Sequence, residues 1–247
     1  MLVRQRRILW PALVLLALAT CAVCGTWLFR ALQREERLRV DPFELAHYAG
    51  DQPSARRPGH TRVVLFGDSR ARSWPDHTHR GFELINRGIG YQTTRQVLGR
   101  FERDLAAWQP QVVVLQLGVN DLKATSQWPE RATFIVSECK RNINELVTRS
   151  VGLGAHVVIT TIFSLGAIPW FRMLMLSPAV GARIADVNRY LVTLRSEHVT
   201  VLDSAAILDG PDGKIRPEYQ ADFLHLNNRG YDVLDEQLDK VLRGLPL

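Results

Sequence analysis

Four polar residues of types suited to acyl transfer stand where apolar runs end. Ser69 closes "RVVLFGDS", Asn120 lies in "LGVND", and Asp222 and His225 are three apart in "DFLHLN". A fourth stretch, "NRGIGYQTT", supplies a glycine-rich turn after another apolar run. Acyl transfer needs a nucleophile, a base for its proton, a group that orients the base, and donors for the developing oxyanion. A serine at a helix start can offer its own N–H to that oxyanion. An aspartate three residues before a histidine can reach the second imidazole nitrogen from the same loop and hold the tautomer that accepts the serine proton. Each piece alone has an ordinary reading. Gly-Asp-Ser is a common helix start in which Asp68 or Ser69 merely caps, Asn120 can bond its own backbone in a turn, and an isolated histidine is more often a satisfied core residue.

Such residues meet only if a scaffold brings their loops together. Short β-branched runs occur at 63–66, 82–85, 112–117, 157–163 and 199–202, and helical patterns lie between and after them at 93–108, 133–153, 180–197 and 228–242. Strands alternating with helices predict an α/β fold with a parallel sheet covered on both faces. In such sheets the loops at the carboxyl ends of the strands converge on the ligand site.

In order, "FGDS", "NRGIG", "GVND" and "DFLHLN" resemble the four blocks of the SGNH (GDSL-type) hydrolases, over residues 62 to about 242. The resemblance implies a flavodoxin-like three-layer α/β/α sandwich with a five-stranded parallel sheet. It also implies hydrolysis of ester or thioester bonds without metal or cofactor. Carried over by motif, Ser69 is the nucleophile, His225 the base, Asp222 its partner and Asn120 a side-chain oxyanion donor. Backbone amides of Ser69 and of the 90–91 turn complete the expected oxyanion hole. Two positions depart from the family pattern. Arg70 stands where the family name implies leucine, which puts a cation beside the site or on the outer face of the helix. The family's oxyanion glycine falls on Tyr91, with Gly90 just before it, so a backbone donor survives only if the loop adopts the required dihedrals. Both Gly90 and Tyr91 are therefore candidates. "GDSRA" falls one residue short of the nucleophile elbow G-x-S-x-G, but the Asp–His spacing of three argues against that fold.

The expected activity is a serine esterase acting on a small-molecule, glycan or lipid ester. An acyltransferase or deacetylase working on cell-envelope glycans would use the same residues, and a non-catalytic binding module would keep only the fold. The formal charge of +6 does not indicate nucleic acid: residues 1–40 hold seven Arg and two Glu, so five of those charges lie there. Residues 8–29 carry no charge and are long enough to cross a bilayer as a helix. The expected organisation is a basic segment (1–7), a single-pass signal anchor (8–29), a juxtamembrane helix and linker (30–60) and a hydrolase domain (61–247) on the extracytoplasmic side. A cleaved signal peptide, or lipidation at "LATC", are the alternatives for the N-terminus. Cys21 and Cys24 fall inside the apolar stretch and Cys139 is alone, so no disulfide framework is expected. His77 and His79 have a spacing open to metal, but they sit in a polar loop with no carboxylate cluster nearby in sequence, and no metal site is expected. The apolar stretch 166–180 has two readings: a lid or acyl-binding wall, or a buried helix packed on the core.

Overall fold

The computed structural model describes residues 2–75 and 81–246. His77 and His79 lie outside them. Five strands, β1 (Thr61–Gly67), β2 (Phe82–Gly88), β3 (Val112–Gln116), β4 (His156–Thr160) and β5 (Val199–Leu202), form one sheet. Every pairing is parallel, and the order is β2-β1-β3-β4-β5. The helices are α1 (Leu2–Val40), α2 (Ser69–Arg72), α3 (Thr94–Gly99), α4 (Phe101–Asp104) and α5 (Val119–Ala124). They continue with α6 (Ala132–Gly152), α7 (Trp170–Met173), α8 (Ala179–Thr193), α9 (Ser204–Leu208) and α10 (Asn228–Arg243).

The β-branched runs form interior strands because both of their faces are covered. Val64, Phe66, Val113 and Leu115 pack with Phe101, Ile143, Leu146, Ile184 and Val187 on one side. Val63, Leu65, Val112 and Val114 pack with Leu208, Tyr231, Leu234 and Leu238 on the other. The strand order reverses direction between β1 and β3, and in a doubly wound sheet the ligand crevice lies outside the carboxyl ends at that switch. Ser69 follows β1 and Asn120 follows β3. Gly67 is required at the first of these exits, since a Cβ there would sit 1.9 Å from the Gln116 carbonyl oxygen of the neighbouring strand.

Two elements differ from expectation. The run 157–163 is strand only to Thr160, because beyond it the Asn188 side chain takes over both backbone groups of Ile162, accepting from its N–H and donating to its carbonyl. The pattern at 93–108 is not one helix but α3, α4 and a 3₁₀ turn at Ala106–Trp108, interrupted at Gly99 and Arg100, where glycine is a poor helix former.

His47–Leu247 is one compact unit and Met1–Ala46 another. Composition placed the start of the domain near residue 60, but Tyr48, Asp51 and Ser54 are already attached to it. The Tyr48 hydroxyl donates to the Gly88 carbonyl (2.7 Å), Asp51 pairs with Arg87 (2.6 Å), and the Ser54 carbonyl accepts from Arg62 (3.0 Å). Within the N-terminal unit, Leu13–Val40 is a helix long and apolar enough to cross a membrane.

Candidate active site

The loops that leave β1 and follow β5 meet through three side chains. His225 Nε2 lies 3.0 Å from Ser69 Oγ, and His225 Nδ1 lies 2.9 Å from Asp222 Oδ2. The second carboxylate oxygen, Oδ1, accepts the N–H groups of Leu224 (2.7 Å) and His225 (2.8 Å), so the aspartate is locked to the loop that carries its histidine. Burial raises the Asp222 pKa, but the bonds from His225 and these amides outweigh it and leave the carboxyl below its ordinary value. An ionised Asp222 holds the proton on Nδ1 and leaves Nε2 able to accept one from Ser69.

The donors expected for an oxyanion surround the same hydroxyl. Asp68 caps α2, its Oδ1 accepting the Arg70 N–H (2.9 Å), so the Ser69 N–H heads a helical turn with no acceptor among the described residues. Gly90 faces Ser69, since a Cβ on it would lie 3.9 Å from the Ser69 Cβ. Tyr91 adopts φ +69°, the left-handed conformation natural to the family glycine, at a cost of roughly 1–2 kcal/mol for a residue with a side chain. Its ring is exposed, so the backbone keeps the glycine geometry while the side chain points outward. Asn120 donates through Nδ2 to the Gln92 carbonyl (3.0 Å) and accepts from Lys123 Nζ (3.3 Å), which fixes its amide and leaves a second N–H to offer.

Arg70 lies beside the site rather than on the outer face of α2. It is buried, with Nε on the Leu224 carbonyl (3.1 Å), Nη1 on the Phe163 carbonyl (2.7 Å) and Nη2 on the Ser164 carbonyl (3.2 Å). Its guanidinium also stacks 3.6 Å above the Phe163 ring. The residue next to the serine therefore grips the loop that carries His225. Arg100 does the same for the other loops, donating to the carbonyls of Gly67 (2.9 Å) and Arg87 (2.7 Å) and to Gln92 Oε1 (2.7 Å). Burial lowers both guanidinium pKa values to about 10, with Asp68 and Asp104 respectively opposing, so both remain charged at neutral pH. Asp121, one residue after Asn120, accepts both the Thr94 N–H (2.9 Å) and its hydroxyl (2.7 Å), tying the third loop to the second. Burial pushes the Asp121 carboxyl up to about 6 against those bonds.

The stretch 166–180 is not a buried helix. Across 166–178 only Trp170–Met173 is helical, and Trp170, Phe171, Met173, Leu174 and Met175 are exposed, while Ile168 and Leu176 pack against the core and Val180, in the first turn of α8, belongs to it. Arg172, Met175 and Leu176 instead line a cavity that Asn120 and Tyr91 share. Sequence reading missed the roles of Arg70, Arg100, Asp121 and Gln92. The cation directly after the expected nucleophile was the available signal for Arg70, and nothing local in the sequence marked the other three. Among the described residues, no three His, Cys, Asp or Glu side chains cluster as a metal site.

A doubly wound sheet with Ser, His and Asp converging at its switch point defines an SGNH-type hydrolase. The family model described as GDSL-like lipase/acylhydrolase matches residues 49–233. The chain belongs to that family and is a hydrolase of ester bonds. No curated protein sequence matches it. Solved structures with the same fold include a GDSL-like lipase from Bacteroides thetaiotaomicron, 21% identical, with a TM-score of 0.65, covering 81% of this chain and 98% of that one. A catalytic mutant of an acetylxylan esterase from Geobacillus stearothermophilus is 18% identical, with a TM-score of 0.53, covering 78% of this chain and 97% of that one.

Two outcomes follow from the loop contacts. Arg70→Lys removes the fork that spans three carbonyls, and urea unfolding is expected to show a loss of about 2–4 kcal/mol; a change under about 0.5 kcal/mol would contradict the clamp. Because Asp121 has a folded pKa above the ordinary carboxylate value, its contribution to stability is present below about pH 4 and lost as pH rises through about 6. Wild type should therefore lose on the order of 3 kcal/mol relative to Asp121→Asn between pH 4 and 7 in unfolding titrations. A difference that stays flat with pH would remove the buried carboxylate from the account.

Proposed function

We propose that the chain is a serine esterase, and the observation that carries this reading is the unbroken path from Asp222 through both nitrogens of His225 to Ser69 Oγ. Ser69 Oγ attacks the ester carbonyl carbon as its proton passes to His225 Nε2. The carbonyl oxygen becomes an oxyanion held by the N–H of Ser69, the backbone of Gly90 and Tyr91, and Asn120 Nδ2. Collapse breaks the bond to the alcohol oxygen, which leaves with the proton from Nε2. Water, deprotonated by the same nitrogen, then attacks the acyl-serine carbon, and the bond to Ser69 Oγ breaks as Oγ takes that proton back and the carboxylic acid leaves. Asp222 stays ionised throughout and compensates the imidazolium charge. The two steps need no electron transfer and no group beyond these side chains and water.

The uncharged residues 8–29 inside α1 serve in this reading as a single-pass membrane anchor, with 30–60 connecting it to a hydrolase domain outside the cytoplasm. The span of Leu13–Val40 supports the anchor by length and composition.

In an assay with 4-nitrophenyl acetate, Ser69→Ala is expected to lower kcat about 10³-fold or more. Equal rates for Ser69→Ala and wild type would assign the nucleophile elsewhere.

A further inference from the structure

Beside the oxyanion donors lies a cavity of about 300 Å³, at the small end for organic ligands. Tyr91, Asn120, Lys123, Gln127, Arg172 and Phe223 contribute to its wall, and no carboxylate does. Two of these residues are cations from different elements, Lys123 on α5 and Arg172 on α7. Neither has an acid within ion-pair distance among the described residues. Lys123 is half-buried and donates to Asn120 Oδ1, which uses one of its three N–H bonds. Arg172 lies 4.9 Å from the Phe223 ring, which rests its guanidinium against the loop of Asp222 and His225. Burial lowers the Lys123 pKa, with the charges of Arg70 and Arg172 adding to that effect and those of Asp68 and Asp222 opposing it from outside the cavity wall. Two like charges converging on one small cavity repel each other, and an anion between them would relieve this and supply charge-assisted hydrogen bonds.

The geometry points to an acyl pocket for a substrate whose acyl group carries its own anion. This rests on the serine esterase reading of the same site. The departing alcohol must face His225 Nε2 to receive its proton, and His225 does not line the cavity. Asn120 and Tyr91 do, so the space lies away from the leaving-group side, beside the oxyanion donors, where the acyl chain has room to extend. Gln127 and Phe223 add a polar and an aromatic residue to the wall. The substrate class is thus an ester of a short dicarboxylic or similarly anionic acid, with the free anion held by Lys123 and Arg172.

The test compares mono-4-nitrophenyl adipate with its methyl-capped diester, using the full chain in a neutral detergent. Wild type is expected to show a kcat/KM for the anionic ester about tenfold above that for the capped one, falling as salt is raised. In Arg172→Gln this ratio is expected to fall to about one, as one charge-assisted contact is lost. Calorimetric binding of both esters to Ser69→Ala reads the cavity without turnover and is expected to show the same preference. No preference for the anionic ester in either assay, or one that Arg172→Gln leaves intact, overturns the proposal. If wild type turns over neither ester while Ser69→Ala still binds the anionic one more tightly, the catalytic reading fails and the anion pocket stands.

Discussion

A site built from the loops beyond a parallel sheet must have those loops tied to one another through their buried carbonyls without water. In this chain two buried guanidiniums do it. Arg100 bonds the carbonyls at the ends of β1 and β2, at Gly67 and Arg87, and Arg70 bonds those past β4, at Phe163 and Ser164, together with Leu224 beside His225. Arginine suits the task because its donors form a rigid fork and it stays charged even where burial lowers its pKa to about 10. Removing water from such a cation is costly, and several strong carbonyl bonds are needed to offset it. The arrangement is therefore stable only when all the loops are in place. That is how a local side chain at position 70 comes to depend on a residue more than a hundred positions away.

The rest of the site hangs from this frame. Arg70 follows Ser69 in sequence and reaches the carbonyl of Leu224, so the hydroxyl and imidazole are set at 3.0 Å by a contact one residue to the side of each. Arg100 and Asn120 both bond Gln92, through its side chain and its carbonyl respectively, so the glycine turn and the asparagine share one anchor. Asp121 and Thr94 repeat the link one layer deeper. The oxyanion donors are thus held before any substrate arrives, which is the condition under which such donors lower a barrier most.

The sheet and the meeting of Ser69, His225 and Asp222 were legible in the sequence because they obey local rules. A run such as 63–66 is apolar on both faces and can only be an interior strand, and an aspartate three residues before a histidine can only reach it from the same loop. The Tyr91 backbone was legible as a question of dihedrals, which its φ of +69° resolves. The clamps were not, since a guanidinium bonded to carbonyls of distant residues leaves no periodic trace. The stretch 166–180 stood open between an acyl-binding wall and a buried helix: its composition suits a core, but its helix is limited to Trp170–Met173 and its large side chains from Trp170 to Met175 stay exposed. Composition reports what a segment could bury, and topology decides whether there is anywhere to bury it.

In the proposed mechanism, loops from β1, β2, β3 and the segment after β5 present one hydroxyl, one imidazole and a preset group of donors to a single carbonyl. A crystal structure of the chain inactivated by a serine-directed alkyl phosphonate measures this directly. Phosphorus is expected on Ser69 Oγ, with the phosphoryl oxygen within hydrogen-bond distance of the Ser69 and Gly90 amides and Asn120 Nδ2, and Arg70 still on its three carbonyls. An adduct on another residue, or a phosphoryl oxygen facing away from those donors, would contradict that mechanism.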